Sequence, residues 1–148
     1  MKFKIFLMLL LAVAISGCRT GKKMANADKS PLCGTQWNLT AIEGNITDSL
    51  AHMSQPFIMF TQNGDFSGNL GCNTFFGTYY KKKHKIELDY TGSTRKLCQE
   101  MEMERAMIKA IKKDINHFEI IGKTLVLYAG KEEVMRFVDS GNRVEENQ

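Results

Sequence analysis

Apolar and polar residues alternate along much of this chain, the two-residue period expected of strands that bury one face. Trp37, Leu39 and Ala41 alternate with Asn38 and Thr40 before Glu43-Gly44-Asn45 ends the run, which predicts a strand with one large aromatic anchor. Pro56 introduces Phe57-Ile58-Met59-Phe60-Thr61, and Asn63-Gly64 follows as a strong hairpin signal, because both residues tolerate positive φ. A two-residue loop there would align Phe57, Met59, Phe66 and Leu70 on one face. A three-residue loop would align Ile58, Phe60, Phe66 and Leu70, and the pattern leaves both registers open. Further on, Ile86, Leu88 and Tyr90 alternate with Lys85, Glu87 and Asp89, the mark of a strand with one wet face. Residues 117–121, 124–128 and 133–139 read as three more strands. They are joined by Gly122-Lys123 and Ala129-Gly130-Lys131, and such short links pair strands antiparallel.

The period changes once, over residues 99–114, where Met103, Met107, Ala110 and Ile111 recur at helical spacing. Glu100, Glu102 and Glu104 come early and Lys109, Lys112 and Lys113 late, which suits the helix dipole. The Met-rich stripe reads as packing against a curved sheet, since methionine fills irregular gaps. Gly68, Gly71 and Gly77 cluster around Cys72-Asn73, marking a sharp bend or a close approach of another backbone. Their spacing matches neither a dinucleotide fingerprint nor a P-loop. The expected fold class is therefore mainly β (α+β): a small curved, antiparallel or barrel-like sheet with one α-helix packed on it.

The start of the chain follows a different rule. Lys2 and Lys4 precede an uncharged apolar stretch over residues 5–15, too short for a helix that spans a bilayer, which needs about 20 residues. A positive start, a short apolar centre and small residues at the end form an export signal. Ile15-Ser16-Gly17-Cys18 resembles a lipobox, in which cleavage precedes a cysteine whose sulfur carries diacylglycerol. Cys18 is thus the expected lipidation site and the membrane is a partner through that anchor. Arg19 stands where lipoproteins retained in the inner membrane often carry Asp, so the expected location is the cell envelope, on the outer membrane. The organisation expected is a signal peptide at 1–17, a lipidated cysteine and tether at 18–33, one domain at 34–139 and a frayed polar tail at 140–148. Removing 17 of the 148 residues leaves enough chain for one cored domain but not two.

Charge and reactive residues narrow the function. Lys and Arg number 20 against 16 acids, and the signal removes two of the lysines, so the excess is too small for a nucleic-acid-binding face. No Cys-x-x-Cys, His-Glu-x-x-His or clustered His/Asp run is present, so neither a metal site nor a cofactor is expected. His52, His84 and His117 have no local motif that pairs one of them with a cysteine, and no nucleophile or oxyanion pattern occurs. The chain is not expected to be an enzyme; a thiol-dependent activity is the remote alternative. Lys81-Lys82-Lys83-His84-Lys85 could meet anionic lipid heads or acidic glycans, with a solvated hairpin turn as the simpler reading. Beyond Cys18 there are three cysteines, Cys33, Cys72 and Cys98, which permit one bridge in an oxidising compartment and leave one thiol over.

Several of these residues fall into a recognisable order. Trp37-Asn38-Leu39, Phe60, the run Gly68-Asn69-Leu70-Gly71-Cys72-Asn73-Thr74-Phe75-Phe76-Gly77-Thr78-Tyr79 and the block Thr94-Arg95-Lys96-Leu97-Cys98 before the helix resemble the META domain of heat-shock HslJ-like lipoproteins. The likeness covers about residues 34–139. Lys96-Leu97 stands where small or methionine residues are more usual, and Cys33 is additional. The resemblance implies a small curved or barrel-like sheet closed by one helix, in an envelope protein linked to stress, with no established enzyme activity. It also implies a Cys72–Cys98 disulfide with Cys33 left over, against the alternative that both are buried thiols. The function expected is a non-catalytic envelope lipoprotein in stress tolerance or envelope maintenance. The alternative is a binding module whose curved sheet, rich in Phe and Met, holds an apolar ligand or a protein partner.

Overall fold

The computed structural model describes residues 29–46, 54–98 and 101–144. The signal, Cys18, most of the tether, His52 and the start of the expected helix lie outside the described residues. Among the described residues, nine strands and one helix follow in the order β1 (Thr35–Ile42), β2 (Asn45–Ile46), β3 (Phe57–Phe60), β4 (Asp65–Asn69), β5 (Thr74–Lys82), β6 (Lys85–Ser93), α1 (Glu102–Ile111), β7 (His117–Ile121), β8 (Thr124–Ala129) and β9 (Glu132–Arg143). These strands all pair antiparallel in the order β6-β5-β4-β3-β1-β9-β8-β7, with β2 attached to β1, and Cys33 adds an isolated parallel bridge to Phe60. The sheet curls into a half-barrel, as expected for the mainly β class. Its two edges meet at one end, where Phe118 N donates to His84 O at 2.9 Å and Ile86 N to Asn116 O at 3.4 Å.

Alternation places Trp37, Leu39 and Ala41 of β1 inside, with the indole N–H bonded to Leu32 O at 3.0 Å. The β3–β4 register is the one set by a three-residue loop. Thr61 N bonds to Asp65 O at 2.9 Å and Phe60 pairs with Phe66, so Ile58, Phe60, Phe66 and Leu70 share the buried face. Asn63-Gly64 is therefore not a two-residue turn; Gly64 takes the left-handed position that ends the longer loop.

The glycine cluster resolves as close approach. Gly68 pairs with Phe75 and Gly77 with Phe66, and each ring lies over the glycine opposite it. A Cβ on Gly68 would strike Phe57 O and the Phe75 ring; one on Gly77 would strike Asp89 O and the Phe66 ring. Aromatic side chains thus cover the two glycines of β4 and β5 and fill the interior.

The helix ends at Ile111, three residues before the expected Asp114. Lys113 turns away to pair with Glu43 on the β1–β2 turn at 2.6 Å, and Ile115 enters the core. That hydrogen bond raises the Lys113 pKa and lowers the Glu43 pKa, so the tie holds at neutral pH. Along α1, Met107, Ala110 and Ile111 are buried and Met103 is half-buried, which is the packing stripe read from the sequence.

Two boundaries differ from expectation. Ser140 does not begin a frayed tail, because β9 runs on to Arg143, which pairs with Thr35, and Val144 N bonds to Gly34 O at 3.0 Å. Asp139 fixes this extension by accepting two bonds from Arg143 (2.8 and 2.7 Å), one from Gly141 N at 2.8 Å and one from the Ser30 hydroxyl. These donors, Arg143 foremost, hold the Asp139 carboxyl well below the usual carboxylate range. Packing also reaches back to Ser30, whose N–H bonds to Gly122 O at 3.1 Å, ahead of the expected start at Gly34.

Candidate functional site

The residues that carried the resemblance converge at one end of the half-barrel. Between β4 and β5, Asn69 Oδ1 accepts from Gly71 N at 2.6 Å and Leu70 N bonds to Asn73 O at 2.7 Å, which makes a tight turn with Cys72 near its apex. The structure joins Cys72 to Cys98 as a disulfide across 26 positions, with Cα atoms 6.5 Å apart, inside the usual range. Cys33 is a free thiol.

Asn73 is fully buried and its amide is saturated. Its Oδ1 accepts from Thr94 Oγ1 at 2.8 Å and Lys96 N at 2.7 Å; its Nδ2 donates to Lys96 O at 3.1 Å and to both Glu104 oxygens at 3.1 and 2.9 Å. Thr94 Oγ1 also accepts from Thr74 N at 3.1 Å. One amide therefore binds the β4–β5 turn, the strap over residues 94–98 and helix α1 together, and the disulfide locks the same strap covalently. Glu104 is 5% exposed and engaged by that amide, so its carboxylate is not presented to a substrate. The site clamps; its groups are consumed in holding each other.

In sequence the motif marks Cys72 and Cys98, while Asn73 carries no assigned role and Glu104 reads as a charge that suits the helix dipole. A signal was there: Glu104, Met107 and Ile111 fall at i, i+3 and i+7, on the buried stripe. A carboxylate on that face requires a buried donor.

The other candidates are separate. Cys33 Sγ lies 3.2 Å from Tyr79 Oη, which donates to Thr61 O at 2.6 Å, so the free thiol is in the β3–β5 wall with no histidine beside it among the described residues. Closure of the sheet brings His84 and His117 together, ring centroids 6.1 Å apart, which spacing alone hid. With Lys29, Glu119, Ile120 and Ile121 they line a concavity of about 350 Å³. A larger groove of about 430 Å³ runs between β5, β6 and the turn after α1, bordered by Tyr80, Glu87, Asp89, Lys113 and Asp114. Among the described residues no set of three His, Cys, Asp or Glu side chains could hold a metal ion, and no helix is long and apolar enough to cross a membrane.

A half-barrel of antiparallel strands with one helix, clamped by a Gly-Cys-Asn turn to a Thr-Arg-x-x-Cys strap, defines a narrow class. The META domain model matches residues 30–142, and the chain belongs to the META domain family. No curated protein matches it. The fold is similar to the NMR structure of a protein from Burkholderia xenovorans, with 21% identity, 74% of this chain and 83% of that one covered, and a TM-score of 0.58. It is also similar to the crystal structure of a DUF4847 family protein from Bacteroides vulgatus ATCC 8482, with 14% identity, 77% and 96% covered, and a TM-score of 0.51. At these identities the likeness is one of fold.

Proposed function

We propose that this META-domain chain is a non-catalytic lipoprotein of the cell envelope, moored through Cys18 to the outer membrane, that supports stress tolerance by contacts on its outer surface. The observation that carries this reading is how the domain disposes of its chemistry. The interior is filled by Trp37, Phe60, Phe66, Phe75, Met107 and Phe137, each at most 1% exposed, and the signature polar groups are bonded to one another. A filled interior favours surface contacts over an enclosed apolar ligand. The lipid anchor rests on the Ile15-Ser16-Gly17-Cys18 motif.

Growing cells given radioactive palmitate should yield a labelled mature chain, and the Cys18→Ser variant should yield none. Deletion of the gene should raise sensitivity to heat or membrane-active compounds, with recovery by the wild-type chain. Normal sensitivity across that panel would count against the stress role.

A second reading, a module that docks a protein partner, is favoured by large apolar side chains left outside. Phe76 and Tyr80 on the outer face of β5 are 51% and 64% exposed, and Leu97 on the strap is 97% exposed. Crosslinking in intact cells through these positions would capture such a partner; substitution of all three by Ser with no change in captured species or phenotype would remove this reading.

A further inference from the structure

We infer that the hairpin tip at residues 81–85 and the β7–β8 turn form one basic face that rests on an anionic lipid bilayer, oriented by the Cys18 anchor; the inference relies on the lipoprotein reading above. In sequence this lysine run reads most simply as a solvated turn, with anionic lipid heads or acidic glycans as the alternative. The fold changes its surroundings in three ways.

First, closure of the sheet points the tip toward the place where the chain leaves for its anchor. Phe118 N to His84 O and Ile86 N to Asn116 O set β6 against β7 antiparallel, so the tip projects along β7 toward Ile121 and Gly122. Ser30 N is bonded to that same Gly122 at 3.1 Å, and Lys29 lines one concavity with His84, His117 and Ile121. Cys18 is eleven positions ahead of Lys29. Fully extended, that length spans at most about 40 Å, so this end of the domain is the one held nearest the lipid.

Second, the charges are of one sign and lack internal partners. Lys81, Lys82, Lys83 and Lys85 are all exposed, and none forms an ion pair among the described residues. Lys82 stands directly opposite Lys85 across the hairpin, an arrangement of like charges that destabilises a strand pair. Lys83 adopts φ 57°, a conformation uncommon for residues other than glycine. A free hairpin would gain by separating these charges; an array of headgroup phosphates neutralises them. Lys123 and Lys29 extend the basic surface. Asp139 is engaged by Arg143 at 2.7 Å and Glu119 lies 3.5 Å from His117; Glu87, exposed two residues beyond Lys85, borders the separate groove with Asp89 and is outnumbered by the four lysines of the tip.

Third, Ile121, 64% exposed at the end of β7, gives the face an apolar point beside the lysines. Such a side chain reaches the headgroup boundary while lysines meet phosphate. The basic face acts only within about 10 Å of the surface, the range left by salt screening; the tether, with a reach of at most about 40 Å, keeps the face where it meets that layer repeatedly.

The test is lysine acylation followed by mass spectrometry. The full mature chain, purified from its host in detergent, is placed in phosphatidylcholine vesicles with or without phosphatidylglycerol. On the anionic vesicles at low salt, Lys81, Lys82, Lys83 and Lys85 should react about fivefold more slowly, the factor per lysine for a residue near an anionic surface. High salt should abolish the difference. Lys131, at the opposite end of β8, and Lys109, on α1, should react alike on both. The quadruple variant Lys81→Gln, Lys82→Gln, Lys83→Gln, Lys85→Gln should melt no lower than the wild type and keep its anchor while Lys29 and Lys123 lose their protection. Palmitate label in the same preparation reports on the anchor separately. A labelled chain whose four lysines react equally on both vesicles keeps the anchor and overturns the docking face. Equal protection by a soluble acidic polysaccharide on neutral vesicles would also overturn it, by assigning the lysines to a glycan.

Discussion

The two ends of the half-barrel are built on opposite principles. At the end that holds Asn73, a disulfide, a saturated amide and a buried carboxylate stitch turn, strap and helix together. At the end that holds the β5–β6 tip, the sheet edges are joined by two backbone hydrogen bonds, and the side chains are exposed lysines without partners. Buried polar groups must satisfy one another or destabilise the fold, so the first end is committed to structure. Solvent already stabilises the lysines of the second end, which leaves them available to something else. The cysteines and Asn73 of the family motif are thus spent on the clamp.

Substitutions should separate the two ends sharply. The largest effect is expected from Cys72→Ser with Cys98→Ser, since a closed loop of about 27 residues is worth about 3.5 kcal/mol in the chain-entropy model. Denaturant titration with and without reductant would measure it. A stability unmoved by reductant would mean that the disulfide contributes nothing at the clamp. Next, Asn73→Ala leaves Glu104 and the Lys96 backbone without their donor and acceptor, at a cost of about 3 kcal/mol. Asn73→Asp should be no milder, because it sets two buried carboxylates together. In a double-mutant cycle with the cysteine pair, the effects should be non-additive if one clamp is involved.

Acid should act through a third place, the β9 extension. The folded Asp139 carboxyl titrates below its unfolded value, about 3.9, so its contribution to stability is present above that pH and is lost as pH falls through and below it. Asp139→Asn should lower stability by about 2 kcal/mol at neutral pH and flatten the acid limb. Equilibrium unfolding between neutral and strongly acidic pH would detect both effects. The smallest effect belongs to the basic tip. Lys82→Gln removes the like-charge pair with Lys85 and should raise stability by about 0.3 kcal/mol at low salt, with no change at high salt. A loss of stability there would show that the lysines already have a structural task, and the contrast between the two ends would fail.

Much of this architecture could be read along the chain. Alternation at Trp37, Leu39 and Ala41 and at Ile86, Leu88 and Tyr90 marks strands wherever they pair, because the period belongs to the backbone. The helical stripe of Met107, Ala110 and Ile111 and the short turns near Gly122 and Gly130 are likewise local. Less was legible where two elements compete for a residue. The choice between a two- and a three-residue loop at Asn63-Gly64 was decided by which of Ile58 and Phe57 the core could accept. Ile115, drawn inward, ended the helix early, and Arg143 reached Asp139 and turned an expected tail into strand.

The candidate site divides in the same way. The Gly-Cys-Asn turn and the second cysteine were visible as motifs, and Glu104 lay on the apolar stripe. Yet only the folded chain gives the Asn73 side chain its five hydrogen bonds, since these come from residues 21 to 31 positions away. The meeting of His84 with His117, in one concavity with Lys29, likewise depends on the two edges of an eight-strand path curling until they touch. Sequence by itself determined the periods, the turns and the cysteines, because each is a property of a short stretch of backbone. The tertiary structure alone decided which charges are sealed and which face outward, because burial is set by the sum of contacts made across the whole sheet.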